Sequence, residues 1–346
     1  MIGPHGRRQG RFKWNVLWYP VAGVVGIDLI YQILISWRQS NIIARAQPGY
    51  LVFAVFCQLA IYVVLVAPMR EFYTAAKIRL GGRRAFSLLA MGLALGRVIP
   101  FGDYLIWRTG MKRYRGGASA TTQWYVMYYT WVFSGLLFVF LTAEIFTYIL
   151  HPHATVHSLL GYLSFLPVSI SVIVLAALFA TRFRWVRDRI KRLAFDRLGS
   201  QALSPLGIIR DRKLGWNVIG IFTFAALANW LLEGYTLYLC LRAVDINMPL
   251  TVALFGFTFA RLFSLIPVLP GGIGQLEAGT AIFFAAYGYA FSPVLTATVL
   301  YRLISYWPAL VIGALSFAVT SRTDASMAHL QLERPVFASQ LHKKHG

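Results

Sequence analysis

The sequence predicts an all-α membrane protein, with about six full transmembrane helices and two broken, re-entrant hairpins set out as an inverted-topology repeat. Three observations carry this. Of 346 residues, 58% are hydrophobic and only 13% are charged, against about 25% charged in an average soluble domain. Apolar stretches repeatedly reach the roughly 20 residues that cross a bilayer core of ~30 Å. The basic residues, which bring the formal net charge to +21, gather in alternate connections, the positive-inside pattern.

Residues 1–13 form a basic N-terminus with Arg7, Arg8, Arg11 and Lys13. The apolar run 16–35 that follows lacks a small-residue cleavage site and is read as an uncleaved first span. A second span covers 50–69. Region 85–110 is apolar but broken at Arg97-Val-Ile-Pro100-Phe-Gly102-Asp103. Basic segments lie on both sides of it, at Arg70 to Arg84 and at Arg108 to Arg115. Both flanks therefore face the cytoplasm, and the region dips in and returns. Span 123–149 completes the first half.

The second half repeats the plan from the opposite side. Spans 159–181 and 217–241 are joined by segment 182–216, whose ten Lys and Arg make it cytoplasmic. Region 250–291 is broken at Pro267-Val-Leu-Pro270-Gly271-Gly272-Ile-Gly274-Gln-Leu-Glu277. Charge parity has it cross an even number of times or dip in from the outside, and the absence of Lys or Arg at the central break favours a re-entrant hairpin. Span 294–319 precedes a polar tail, 321–346, with Arg322, Arg334, Lys343 and Lys344. The expectation is one transmembrane domain, 14–320, with halves 14–150 and 158–320. It sits in a bacterial-type inner membrane with both termini cytoplasmic.

Paired breaks in corresponding positions of two halves point to a transport site. At Pro270-Gly271-Gly272-Ile-Gly274 the backbone N–H groups need partners at membrane depth. A helix starting near Gly274 aims its positive dipole end into the break, which suits a phosphate or carboxylate. Glu277, in that helix's first turn, stabilises the helix end, meets a cationic headgroup or couples a proton. Arg261 and Arg302 either bind lipid phosphate or pair with Glu277 as an ion bridge, and the sequence does not rank these uses. Arg97, Pro100, Gly102 and Asp103 are the possible first-half counterparts. Asp28 and Glu233 are candidates for buried polar networks, whereas Glu144, near an outer end, reads as solvated.

Other features read as structural. Cys57 and Cys240 lie within apolar stretches as small core residues, without a disulfide framework. His151, His153 and His157 share a short polar loop, with no carboxylate or cysteine to complete a metal site. Trp14, Trp18, Tyr19, Trp124, Tyr125, Tyr128, Tyr129 and Trp131 read as interfacial belts. The chain shows no Walker A loop, dinucleotide fingerprint, HExxH or GxSxG. No catalytic set, cofactor or metal is expected, and no nucleic acid, since no basic stretch belongs to a domain outside the membrane.

These residues resemble a known family, the lysylphosphatidylglycerol synthase transmembrane region or flippase-like membrane proteins. The resemblance rests on Arg261, on Ile266-Pro-Val-Leu-Pro-Gly-Gly-Ile-Gly-Gln-Leu-Glu277 and on Leu300-Tyr-Arg-Leu-Ile-Ser-Tyr-Trp-Pro308, with a weaker echo at Arg97-Val-Ile-Pro-Phe-Gly102. It implies lipid translocation, of a phospholipid or a polyprenyl- or hopanoid-linked lipid. The partners implied are that membrane lipid and a lipid-modifying enzyme or a second copy of the chain. Larger members carry a cytosolic aminoacyl-transferase domain, so the expectation here is a protein that is not itself an enzyme. The alternative is a non-transporting membrane partner of a glycosyltransferase or lipid-modifying enzyme.

Overall fold

The structure is a computed structural model and describes residues 43–99, 101–112, 114, 116–151, 216–264 and 274–342. Among the described residues there are eight helices: α1 Pro48–Ala75, α2 Gly82–Val98, α3 Gly102–Met111, α4 Gly117–Leu150, α5 Trp216–Ala243, α6 Leu250–Phe263, α7 Gln275–Ala286 and α8 Phe291–His342. Four contain stretches long and apolar enough to cross a membrane: Pro48–Ala75, Ala120–Leu150, Asn217–Ala243 and Phe291–Ser321. They coincide with four of the six predicted spans, and the other two, 16–35 and 159–181, lie outside the described residues. The chain is thus a multi-pass, all-α membrane protein. Its last helix runs past the membrane stretch, so the polar tail is helical to His342.

Both broken regions are hairpins. Ile99, the residue before a proline, is extended and ends α2, because a following proline excludes the helical conformation. The chain then reverses, and α3 returns along α2. Trp107 Nε1 donates to the Leu88 carbonyl at 2.8 Å, and a Cβ at Gly102 would stand 2.6 Å from the Leu95 carbonyl oxygen. In the second hairpin Phe255 meets Phe283 edge-to-face at 5.1 Å, while Gly279 lies against Ala260. The longest of these arms, α2 with 17 residues, reaches about 25 Å at 1.5 Å per residue, short of a ~30 Å core.

The halves repeat in position and in packing. Helices α1 and α5 start 168 residues apart (Pro48 and Trp216), as do α2 and α6 (Gly82 and Leu250). After the longer second break the offset becomes 174 (Gly117 and Phe291). Helix α2 packs on α8 as α6 packs on α4; α3 packs on α4 as α7 packs on α8. The counterparts α1 and α5, 28 residues each, run antiparallel along their length. Gln47 Nε2 donates to Asp245 Oδ1 at 2.7 Å at one end, Gln58 meets Glu233 midway, and Val64 and Ala67 face Ile221 and Phe224 beyond. An antiparallel pair of equivalent helices implies a two-fold axis across them, the arrangement of an inverted repeat.

Each half has its own core. One gathers residues of α1 to α4, with Phe222 of α5; the other gathers α5 to α8, with Ala54 of α1 and Phe140 of α4. Small residues let α2 and α8 approach closely. A Cβ on Gly313 would lie 2.3 Å from Ala94 Cβ and 3.1 Å from the Ala90 carbonyl oxygen, and Ala309 is buried beside them.

Two expectations need correction here. Trp124 and Tyr128 are not belt residues. Both are buried, in an aromatic cluster with Phe72, Trp107 and Phe222. Their i, i+4 spacing puts both rings on one face of α4, and that face packs on α1, α3 and α5 rather than on lipid. Tyr129 remains exposed, and Trp14, Trp18 and Tyr19 lie outside the described residues. Glu144, read as solvated, is half-buried.

Candidate functional site

The polar centre of the molecule is built around Glu233. It sits near the middle of α5, 5% exposed, and receives side chains from both halves. Gln58 of α1 donates from Nε2 to Glu233 Oε2 at 3.3 Å and to Thr236 Oγ1 at 3.1 Å. The Tyr301 hydroxyl of α8 donates to Glu233 Oε2. Arg261, near the end of α6, donates from Nη2 to the Tyr301 hydroxyl at 2.8 Å and lies 3.7 Å from Glu233 Oε2. Arg97, near the end of α2, donates to the Ser305 carbonyl of α8 and lies 3.9 Å from Glu233 Oε1.

Helix ends explain the convergence. Arg97 and Arg261 both occupy the last turn before a break, where a cation also favours the helix's negative dipole end. Each hairpin reverses there, so each break brings one arginine to the seam between halves. The two are not strict equivalents, because Arg261 lies one helical turn earlier in its arm than Arg97 does. Trp230 and Phe257 flank Arg261, their ring centroids 6.0 and 5.6 Å from its Cζ. Both arginine side chains keep about a quarter of their surface open, 25% for Arg97 and 26% for Arg261.

A second ion pair is sealed. Arg302 Nε donates to Glu277 Oε1 at 3.0 Å, with side chains only 6% and 1% exposed. Helix α7 begins at Gln275, after Gly274 at φ 77°, as expected for a helix starting near that glycine. Glu277 therefore stands in its first turn, where a carboxylate is favoured. Of the two arginines offered as its partner, the structure selects Arg302; Arg261 turns to Tyr301 and Glu233.

Asp103 is the positional counterpart of Glu277, 174 residues earlier and likewise in the first turn of the returning arm. It is 2% exposed and accepts from the Tyr129 hydroxyl and the Tyr104 backbone N–H. Phe101 takes the left-handed backbone here, φ 61°, that Gly274 takes in the second break. Gly102 is buried where the arms touch. Pro100, Pro270, Gly271 and Gly272 lie outside the described residues, as do Asp28, His153 and His157. Among the described residues no group of His, Cys, Asp or Glu could hold a metal ion.

Sequence reasoning missed Tyr301, Gln58 and Ser305. Gln58 had a signal, being a lone amide within the apolar run 50–69. Tyr301 and Ser305 lie within Leu300 to Pro308, a stretch that carries the resemblance, but either residue type is ordinary in a membrane helix and does not stand out there.

Residues 21–313 match the Lysylphosphatidylglycerol synthase TM region family. A UPF0104 membrane protein of Methanothermobacter thermautotrophicus is 24% identical over 343 residues, covering 91% of this chain and 97% of the relative. A Phosphatidylglycerol lysyltransferase of Bacillus subtilis is 27% identical over 146 residues, 39% of this chain but 17% of that protein. One from Staphylococcus haemolyticus is 29% identical over 109 residues, 30% of this chain and 13% of that protein.

Proposed function

The chain belongs to the lysylphosphatidylglycerol synthase TM region family, and we propose that it is a lipid translocator, moving a phospholipid or a polyprenyl- or hopanoid-linked lipid between leaflets. One observation carries this reading: the breaks of two oppositely derived hairpins deliver Arg97 and Arg261 to the same carboxylate, Glu233, in the middle of an apolar bundle. Ionisable groups at that depth are costly and are kept for function. Discontinuous helices at a repeat interface are where transporters hold their cargo. In this proposal the lipid headgroup enters the seam from one leaflet, meets the arginines at mid-membrane and leaves toward the other. The glycine-rich sequence from Gly271 to Gly274 is taken to help bind the headgroup through its backbone N–H groups. The sealed Glu277–Arg302 pair fixes the start of α7 beside the seam. The orientation that fits the loop charges places both termini in the cytoplasm, in an inner membrane.

The test is leaflet exchange in liposomes containing the purified chain, using labelled lipids with anionic, zwitterionic and cationic headgroups. Headgroup-selective exchange above protein-free vesicles is expected. No exchange with any headgroup or with a polyprenyl phosphate lipid would refute translocation.

A second reading, a membrane partner for a lipid-modifying enzyme, is favoured by one fact. In the relatives named Phosphatidylglycerol lysyltransferase the matched region is 17% and 13% of the protein, so there it is joined to much additional sequence. Stable co-purification with such an enzyme, together with absent lipid exchange, would select this reading.

A further inference from the structure

We infer that Arg97 and Arg261 form an anion clamp for the phosphodiester of a lipid, with Glu233 as the resident counter-ion that the phosphate displaces. The inference rests on the translocation reading and names its substrate class, a lipid whose headgroup carries one net negative charge on a phosphodiester.

The charges do not balance at this seam. Two guanidiniums share one carboxylate, and neither comes within hydrogen-bond distance of it, at 3.9 and 3.7 Å. Glu233 Oε2 is instead taken by Tyr301 and Gln58. With all three groups ionised the trio holds a surplus of one positive charge in a low-dielectric surround, where an uncompensated charge is costly. A monoanion removes that cost, while a neutral headgroup does not. The contrast with Arg302 and Glu277 is direct: that pair is neutral, in contact and closed to solvent.

Donors are also in surplus. Each guanidinium has five N–H groups in a planar fork suited to phosphate oxygens. Among the described residues, Arg97 donates to the Ser305 carbonyl and Arg261 to the Tyr301 hydroxyl, and Arg261 Nε is buried without a partner. The rings of Trp230 and Phe257 hold the Arg261 guanidinium from its sides and leave part of it open. A phosphodiester offers two anionic oxygens, one toward each arginine. Glu233 keeps the Tyr301 and Gln58 hydrogen bonds when the phosphate arrives, so the carboxylate need not lose all its partners.

The sign of one substitution separates this from a structural network. Glu233→Gln removes the competing negative charge and keeps a group that can accept from Tyr301. It raises retention of an anionic phosphodiester lipid by at least about fivefold, the factor that a unit charge ~4 Å away contributes even in water. Arg97→Gln and Arg261→Gln each lower retention by about tenfold or more, the scale of a charge-assisted hydrogen bond.

The experiment places the full chain in phosphatidylcholine nanodiscs doped equally with phosphatidylglycerol and a neutral galactosyl diacylglycerol, and reads retained lipids by native mass spectrometry. Glycerophosphoglycerol is added in a second arm, and leaflet exchange is measured in parallel. Phosphatidylglycerol retained over the galactolipid, weakened in both arginine variants and strengthened in Glu233→Gln, is expected. Loss of retention in Glu233→Gln would overturn the clamp, as would equal retention of both lipids. If either arginine variant fails to stay monodisperse, the Glu233→Gln arm decides alone. Competition by micromolar glycerophosphoglycerol would assign the site to a free phosphodiester and overturn the lipid assignment. The clamp behaving as expected while no lipid crosses would refute translocation and leave the anion site standing. Exchange unchanged in both arginine variants would refute the clamp and leave translocation standing.

Discussion

Glu277 shows how a residue's role depends on the one atom it touches. Its carboxylate lies 3.0 Å from Arg302 Nε and is shut away from solvent, so removing either partner leaves a buried charge. Glu277→Gln is expected to lower stability by about 3–5 kcal/mol, the usual cost of orphaning a buried ion. Glu277→Gln combined with Arg302→Met restores part of that loss. Thermal unfolding in detergent reads both, and a double variant no more stable than the single one would rule out the pairing as the cause. Gly92 makes a second point at this scale. A Cβ there would sit 2.0 Å from Trp107 Nε1, the atom that donates to the Leu88 carbonyl. Gly92→Ala is expected to cost about 1–3 kcal/mol through overpacking, seen as a lower unfolding temperature. An unchanged temperature would mean that α2 and α3 separate at no cost.

Among the elements, α8 ties the halves together alongside the α1–α5 pair. It meets α2 of the first half through Gly313 and Ala309, and it carries Tyr301, Arg302 and the Ser305 carbonyl into the seam. Without a hydrophobic driving force between helices in lipid, close packing of small residues and polar contacts supply the association. Gly313→Leu would push α8 away from Ala90 and Ala94 and drag Ser305 off Arg97. Its expected signature is a loss of lipid exchange comparable to that of Arg97→Gln, with α-helix content by circular dichroism unchanged. Full exchange in Gly313→Leu would show that the α2–α8 contact does not position the site. The breaks belong to this scale too. Phe101 is exposed and left-handed, a conformation that disfavours a bulky side chain, where the second break uses Gly274. The first break is therefore glycine-poor in sequence, and yet the residue just before its returning helix is left-handed, as Gly274 is in the second.

For the whole molecule, the antiparallel pairing of α1 with α5 fixes which loops share a face. Lys77, just past α1, and Asp245, just past α5, stand at opposite ends of that pair. Cysteines placed at these positions, in a background lacking Cys57 and Cys240, are expected to label from opposite sides of the membrane. Lys77→Cys should label from the cytoplasm and Asp245→Cys from outside. Labelling of both from one side would break the inverted repeat. The two-fold arrangement also explains why two arginines meet at one carboxylate: each half sends one hairpin end to Glu233.

Much of this was legible in the sequence because it follows from composition and chain chemistry. Apolar length set four of the long helices, loop charge required 85–110 and 250–291 to turn back, and proline with glycine located the turns to within a few residues. The start of α7 beside Gly274 needed only the rule that a glycine tolerates a left-handed cap. Partner choice was not legible. Arg261 and Arg302 are the same residue type on neighbouring helices, and only their rotational setting sends one to Tyr301 and the other to Glu277. The burial of Trp124 and Tyr128 likewise depended on which face of α4 met α1 and α3. A sequence sets how far apart groups lie along a helix, whereas the face that each helix turns to its neighbours comes from packing the whole bundle. At this seam that packing leaves two arginines to one glutamate.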